Sequence, residues 1–313
     1  MSIKKQAGIC LFAGLLLLVL SGCGLFVRNM QQPALGPERA MVENVPYFPQ
    51  SKYQCGPASL AMVLGWSGHP VTPDELAGEV YSPGKRGSLQ PVLISAARRH
   101  GRIAYPISGL DELTLELAAG HPVIVLLNLG FSWYPKWHYA VAVGYEKSAG
   151  EIILHSGNTQ NERLSFRVFG NLWTRSEKWG LLVLAPDQMP AGVQEDEWLE
   201  AVIGLERAGK WFAAIQAYET GLSRWPESHG GWLGLGNSRY ETGDLAGAAS
   251  TFRRVTRLFP ENGIAFNNLA QVLLEMGQAG EALNAARQAV SLGGPFSEEF
   301  RKTLSEIEEK LGN

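Results

Sequence analysis

Residues 50–64 read Gln50-Ser51-Lys52-Tyr53-Gln54-Cys55-Gly56-Pro57-Ala58-Ser59-Leu60-Ala61-Met62-Val63-Leu64. Polar residues lead up to Cys55, and a mostly apolar run follows it. This is a loop entering a buried helix, with a sulfur at the junction. Pro57 suits the first helical position, where its missing N–H costs nothing. A thiol at a helix N-terminus feels the positive end of the backbone dipoles, which lowers its pKa. The thiolate is the nucleophile, so an accessible Cys55 reads as reactive.

The other two cysteines, Cys10 and Cys23, belong to a different feature. Lys4 and Lys5 precede an apolar stretch from Ile9 to Leu20. That is the charged n-region and apolar h-region of a secretory signal, too short to span a bilayer as a finished helix. It ends Leu20-Ser21-Gly22-Cys23, which resembles the bacterial lipobox. The resemblance implies cleavage after residue 22, lipidation of Cys23 and a membrane contact through that lipid. Gly24 follows, with no Asp to retain the protein at the inner membrane, so an outer-membrane anchor facing the periplasm is expected. Cys55 is then left without an intramolecular partner, and a lone thiol in an oxidising compartment calls for a reason.

The 313 residues carry a net charge of −3 and no basic run. Nucleic-acid binding has no electrostatic support. After the signal (1–22), residues 23–40 read as a tether and 41–186 as a first domain. Helices are expected near Thr72–Glu79 with Thr72 as cap, Leu89–His100, and Asp111–Ala119. Strands follow at 122–127, His138–Tyr145, Glu151–Leu154 and Leu181–Leu184. Helices first and an antiparallel sheet afterwards make an α+β domain.

Residues 187–194 read as a linker, and from 195 the chain repeats every 34 residues. Trp198, Trp232 and Phe266 are in register, as are Gly209, Gly243 and Gly277, and Ala214, Ala248 and Ala282. Tyr218, Phe252 and Ala286 align too, as do Pro226, Pro260 and Gly294. The pattern resembles three tetratricopeptide repeats, although Ala201 stands where Leu235 and Leu269 do. Ser297 to Leu311 reads as a capping helix, and residues 195–313 form an all-α second domain. Its concave surface suits a protein or peptide partner.

A nucleophilic cysteine needs a base, an orienter and an oxyanion hole. Of six histidines, His69 and His100 sit beside helix ends, His121 lies in a turn before a strand, and His229 belongs to the repeats. His138 and His155 remain. If the strands flanking Lys147–Gly150 pair as a hairpin, opposed residue numbers add to roughly 297. His138 then faces Ser156-Gly157-Asn158, which places His138 as base and His155 at the rim. Ser156 by position or Asn158 by chemistry holds the far ring nitrogen. The Gln50 amide and the Cys55 backbone N–H are candidate oxyanion donors.

Gln50, Cys55-Gly56-Pro57-Ala58-Ser59-Leu60 and His138-Tyr139-Ala140-Val141-Ala142-Val143-Gly144-Tyr145 together resemble the bacteriocin-processing peptidases. These are papain-like cysteine peptidases that cut after double-glycine leaders, in many cases as the N-terminal domain of a transporter. The likeness spans about Val45 to Gly157 and is nearest to stand-alone peptidase-like relatives. It implies a papain-like fold with Cys55 as nucleophile, His138 as base and Gln50 as oxyanion donor. Two departures are visible: Ser156-Gly157 replaces the family's Asp-Pro, and the gap from Gln50 to Cys55 is one residue shorter than is common.

No Cys-x-x-Cys or His-Glu-x-x-His is present, and no metal or organic cofactor is implied. The sequence thus predicts a lipid-anchored cysteine peptidase acting on a peptide or protein substrate, with partner-binding repeats. A non-catalytic peptidase-like adaptor working through its repeats is the alternative, motivated by the missing Asp. A different thiol acyl-transfer enzyme is a third reading.

Overall fold

The computed structural model describes residues 36–50 and 53–312. The signal segment, Cys10 and the lipidation candidate Cys23 lie outside the described residues.

The first strand, β1 (Arg39–Met41), is a correction to the sequence reading, which placed these residues at the boundary of a tether. It pairs antiparallel with Gly144–Glu146. Lys147 Nζ donates to Gly36 O at 2.8 Å, and Tyr145 Oη donates to Pro37 O at 3.1 Å. Residues 36 and 37 are therefore part of the fold. Gly144 is required at this crossing, because a Cβ there would lie 2.6 Å from Ala40 O.

Helix α1 (Cys55–Trp66) buries every residue from Gly56 to Leu64. It starts at Cys55, so Pro57 is its third residue and not its first. The first-turn N–H groups have no intrahelical partner in any case, so a proline is accommodated there. Helix α2 (Pro73–Val80) opens with a reciprocal cap between Thr72 and Glu75. Helix α3 (Gln90–Arg99) follows, with Leu89 and His100 as its flanking residues.

Strand β2 (Ile103–Ser108) and helix α4 (Leu110–Ala118) lead to β3 (Val123–Asn128) and β4 (Trp137–Glu146). Then come β5 (Glu151–Ser156), β6 (Thr159–Ser165), helix α5 (Phe166–Thr174) and β7 (Trp179–Leu184). The seven-stranded sheet runs β2-β7-β3-β4-β5-β6, all pairs antiparallel, with β1 also on β4. Helix α1 packs against β3, β4 and β7. The result is the α+β layout that the sequence indicates.

The remaining helices form antiparallel pairs: α6 (Glu195–Arg207) with α7 (Trp211–Arg224), α8 (His229–Glu241) with α9 (Leu245–Leu258), and α10 (Gly263–Glu275) with α11 (Ala279–Leu292). Helix α12 (Ser297–Gly312) covers the last pair. Gly209, Gly243 and Gly277 take φ of +66°, +78° and +75° in the turn within each pair. Only glycine enters that left-handed region without steric cost, which is why it recurs every 34 residues.

The segment 187–194 is fastened to the first domain. Val193 is buried, and Ala191 N donates to Glu116 Oε1 at 2.8 Å. Tyr105 Oη of β2 donates to Glu197 Oε2 of α6 at 2.9 Å. Arg98 of α3 lies flat on Gly204, where a Cβ would come within 2.4 Å of its Nε. One apolar core runs from Val42 through Trp198 and Tyr218 to Leu235, and a second holds the later repeats. The first repeat is thus part of the first domain's core.

Candidate active site

Cys55 begins α1, and the helix N-cap, Gln54, makes no side-chain cap hydrogen bond. The first-turn amides are therefore free to face the sulfur. The backbone N–H groups of Tyr139, Gly56 and Cys55 itself all approach it. Tyr139 follows His138 on β4, so this contact brings the helix tip to the strand that carries His138. Pairing of β5 with β4 stops at Val141↔His155, so the loop and helix tip take over the Tyr139 backbone beyond that point.

His138 Nε2 lies 3.1 Å from Ser156 Oγ at the end of β5. With Nε2 engaged, Nδ1 is the nitrogen left for the thiol. The β4–β5 register adds to 297 near the turn and slips by one at a bulge between Ala142 and Gly144. Of the two candidate orienters, Ser156 reaches the imidazole. Asn158 is exposed in the following turn and makes no hydrogen bond to His138.

Gln50 ties the site together. Its Nε2 donates to Tyr139 O at 3.3 Å and to Ser59 Oγ of α1 at 3.4 Å. Its Oε1 accepts from Gly157 N at 3.2 Å, and its own N–H donates to Gly157 O at 3.0 Å. Gly157 sits at φ +56°. A proline, which the bacteriocin-peptidase resemblance implies at this position, has no N–H to offer Gln50. The departure from Asp-Pro is therefore matched by a local contact in this chain.

Burial moves both titrations in the same sense, away from the charged forms. It pushes the Cys55 thiol above its ordinary value, against the lowering effect of three backbone N–H groups. Burial also pushes His138 down, against a small opposite effect of Glu162. This corrects the expectation that the helix terminus leaves Cys55 with a depressed pKa: desolvation outweighs it.

The other histidines stand apart. His69 and His100 hydrogen-bond each other, and His100 reaches Glu79. His121 binds Glu116, and His229 packs on Phe259. His155, read from sequence as a rim residue, is buried, edge-on to Tyr47, and accepts from Asn161 N. Among the described residues no cluster of three or more His, Cys, Asp or Glu is arranged to hold a metal. Tyr139, which flanks His138 in the sequence, is a site neighbour as that position indicates; Ser88 is the neighbour that sequence reasoning missed. Tyr139 Oη donates to Ser88 O, and Ser88 Oγ presses on Gly56.

Residues 42–180 match the model of the Peptidase_C39 like family, and residues 199–263 match a tetratricopeptide repeat model. Among solved structures, the chain is similar to a C39-like peptidase from Bacillus anthracis at 18% identity and a TM-score of 0.40, covering 47% of this chain and 98% of that one. It is similar to the Yersinia enterocolitica type III secretion translocator chaperone SycD at 19% identity and a TM-score of 0.36, covering 39% and 90%. It also resembles the Sgt2 repeat domain of Aspergillus fumigatus at 17% identity and a TM-score of 0.36, covering 38% and 79%. No curated protein matches.

Proposed function

We propose that this chain, whose residues 42–180 form a Peptidase_C39-like domain with tetratricopeptide repeats seated behind it, is a cysteine peptidase. The observation that carries the reading is the meeting at Tyr139: its N–H approaches the Cys55 sulfur, and its neighbour His138 is held by Ser156. In the proposed cycle, substrate binding excludes water and His138 takes the thiol proton. The thiolate attacks the peptide carbonyl carbon. The oxyanion is held by the Cys55 N–H and Gln50 Nε2. Gln50 gives up its long 3.4 Å contact with Ser59 to make that bond. The imidazolium then protonates the leaving amine, and water, activated by His138, releases the acyl group from sulfur.

The proposal extends to a lipid on Cys23 that anchors the protein at the outer membrane facing the periplasm, and to a peptide or protein partner on the repeats. A second reading, a non-catalytic adaptor, is favoured by one observation: the group that holds the imidazole, Ser156, is uncharged. Hydrolysis of denatured casein by the purified chain separates the two. The peptidase reading expects turnover that Cys55→Ala abolishes and His138→Ala lowers about a thousandfold or more. No turnover, with equal iodoacetamide rates at Cys55 in wild type and His138→Ala, favours the adaptor.

A further inference from the structure

Strand register brings a carboxylate onto the face of the sheet that carries His138. Side chains alternate along a strand, so His138 and Ala142 share one face of β4, whose pairing with β3 is unbroken between them. Ala142 opposes Leu154 on β5, and Leu154 opposes Glu162 on β6. Opposed residues point to the same face. His138, Leu154, Ser156 and Glu162 therefore lie together, as the bond between Ser156 and His138 requires. The register slip between β5 and β6 leaves the extra residue on β6, between Thr159 and Glu162. Glu162 is thus the diagonal neighbour of Ser156. Such neighbours are about 7–8 Å apart, a gap that a long side chain spans.

Glu162 is half-buried and unengaged. Its neighbour Arg163 points to the other face, where it bonds Glu146 and Glu151 at 3.1 and 2.9 Å. No hydrogen bond or ion pair engages Glu162 among the described residues. Ser156 has a matching gap. For Nδ1 of His138 to take the thiol proton, Nε2 must carry the ring hydrogen and donate to Ser156 Oγ. The hydroxyl's own proton then has no acceptor among the described residues. Other elements around the ring bring no charge. Cys55 comes from α1, apolar Leu127 opposes His138 on β3, and His155 of β5 turns to the other face against Tyr47. Of the charged groups described, Glu162 acts on the His138 titration, and it raises it. We propose that Glu162 is a positioning residue for His138: Ser156 accepts from the imidazole and donates to the Glu162 carboxylate, so β6 supplies the negative charge that position 156 lacks. This deepens the peptidase reading and rests on it for the role of the imidazolium, while the titration is measurable without turnover.

The His138 imidazole is titrated by NMR in the full chain and in Glu162→Gln. Removing the carboxylate lowers its pKa by about half a unit or more, and iodoacetamide modification of Cys55 at pH 7 slows about threefold or more. Glu162→Asp, which keeps the charge, falls between the two. Glu151→Gln removes the same charge from the other face and leaves the titration at its wild-type value. Raising salt from about 0.01 to 1 M screens the attraction and lowers the wild-type pKa, with no such effect in Glu162→Gln. In a Ser156→Asp background, where a carboxylate already holds the ring, Glu162→Gln has a smaller effect. An unchanged His138 pKa in folded Glu162→Gln overturns the proposal, as does an equal fall in Glu151→Gln. If Glu162→Gln does not fold, a salt-independent wild-type titration overturns it. A lowered pKa in Glu162→Gln with no casein hydrolysis by the wild type sinks the peptidase reading and leaves Glu162 in its role at the imidazole. Hydrolysis with an unchanged pKa does the reverse.

Discussion

Replacing Ser156 by Asp tests how the imidazole is held. Ser156 Oγ is 3.1 Å from His138 Nε2, and Ser156 is half-buried, so a carboxylate has room to take the same bond. At about 4 Å and an effective dielectric near 20, a carboxylate attracts an imidazolium by about 4 kcal/mol. Desolvating the new carboxylate takes part of this back. A rise of about 1–3 units in the His138 pKa remains, equivalent to about 1.4–4 kcal/mol. NMR titration of the imidazole in Ser156→Asp reads the shift directly, with Ser156→Asn as the uncharged control. The same charge favours the thiolate–imidazolium pair, so iodoacetamide modification of Cys55 at pH 7 accelerates by about tenfold or more. A folded Ser156→Asp protein whose imidazole titrates unchanged, and whose cysteine reacts at the wild-type rate, refutes the Ser156–His138 contact.

Three further outcomes are expected. Gly56→Ala drives a Cβ to 2.2 Å from Ser88 Oγ; overpacking costs about 1–3 kcal/mol and slows Cys55 alkylation, and Ser88→Gly restores both if the clash is the cause. Trp198 is fully buried and donates to Ala217 O, so Trp198→Ala costs about 3–5 kcal/mol; urea unfolding should show the peptidase-like domain and first repeat shifting together, and an unshifted transition for the first domain contradicts their shared core. His69, His138 and His155 are all pushed down by burial. The folded chain therefore binds fewer protons than the unfolded one below the ordinary value of 6.5, so this contribution to stability is fully present above 6.5 and is lost as pH falls. Glu112 and Glu206 are pushed up and act in the opposite sense near 4.5. The urea midpoint should fall from pH 7 toward pH 5, and less so in His155→Gln; a flat profile counts against neutral buried imidazoles.

Much of the fold is legible because its signals are local. The apolar run after Cys55, the Thr72-Pro73-Asp74-Glu75 start and the 34-residue glycine period each report their own backbone geometry. The elements that escape are those whose identity depends on neighbours. Strand β2 contains Pro106, which a central strand rejects, but β2 is a sheet edge. Strand β6 is polar, because it forms the other edge and is largely exposed. Strand β1 exists only because Gly144 lets it approach β4. At the site, hairpin arithmetic brings the stretch Ser156-Gly157-Asn158 near His138, while the bond from Ser156 to the imidazole depends on side-chain placement that strand register does not encode. The protonation of Cys55 depends on how deeply the helix tip is buried, which no local motif encodes.

The pairing of Cys55 with His138 is tested most directly by trapping the acyl-enzyme. The chain is mixed with a peptide pool, quenched in acid within one turnover and weighed intact by mass spectrometry. The account predicts an acyl adduct that maps to Cys55, is absent in Cys55→Ala and forms about a thousandfold or more slowly in His138→Ala. Adduct formation at equal rates with and without the imidazole contradicts it.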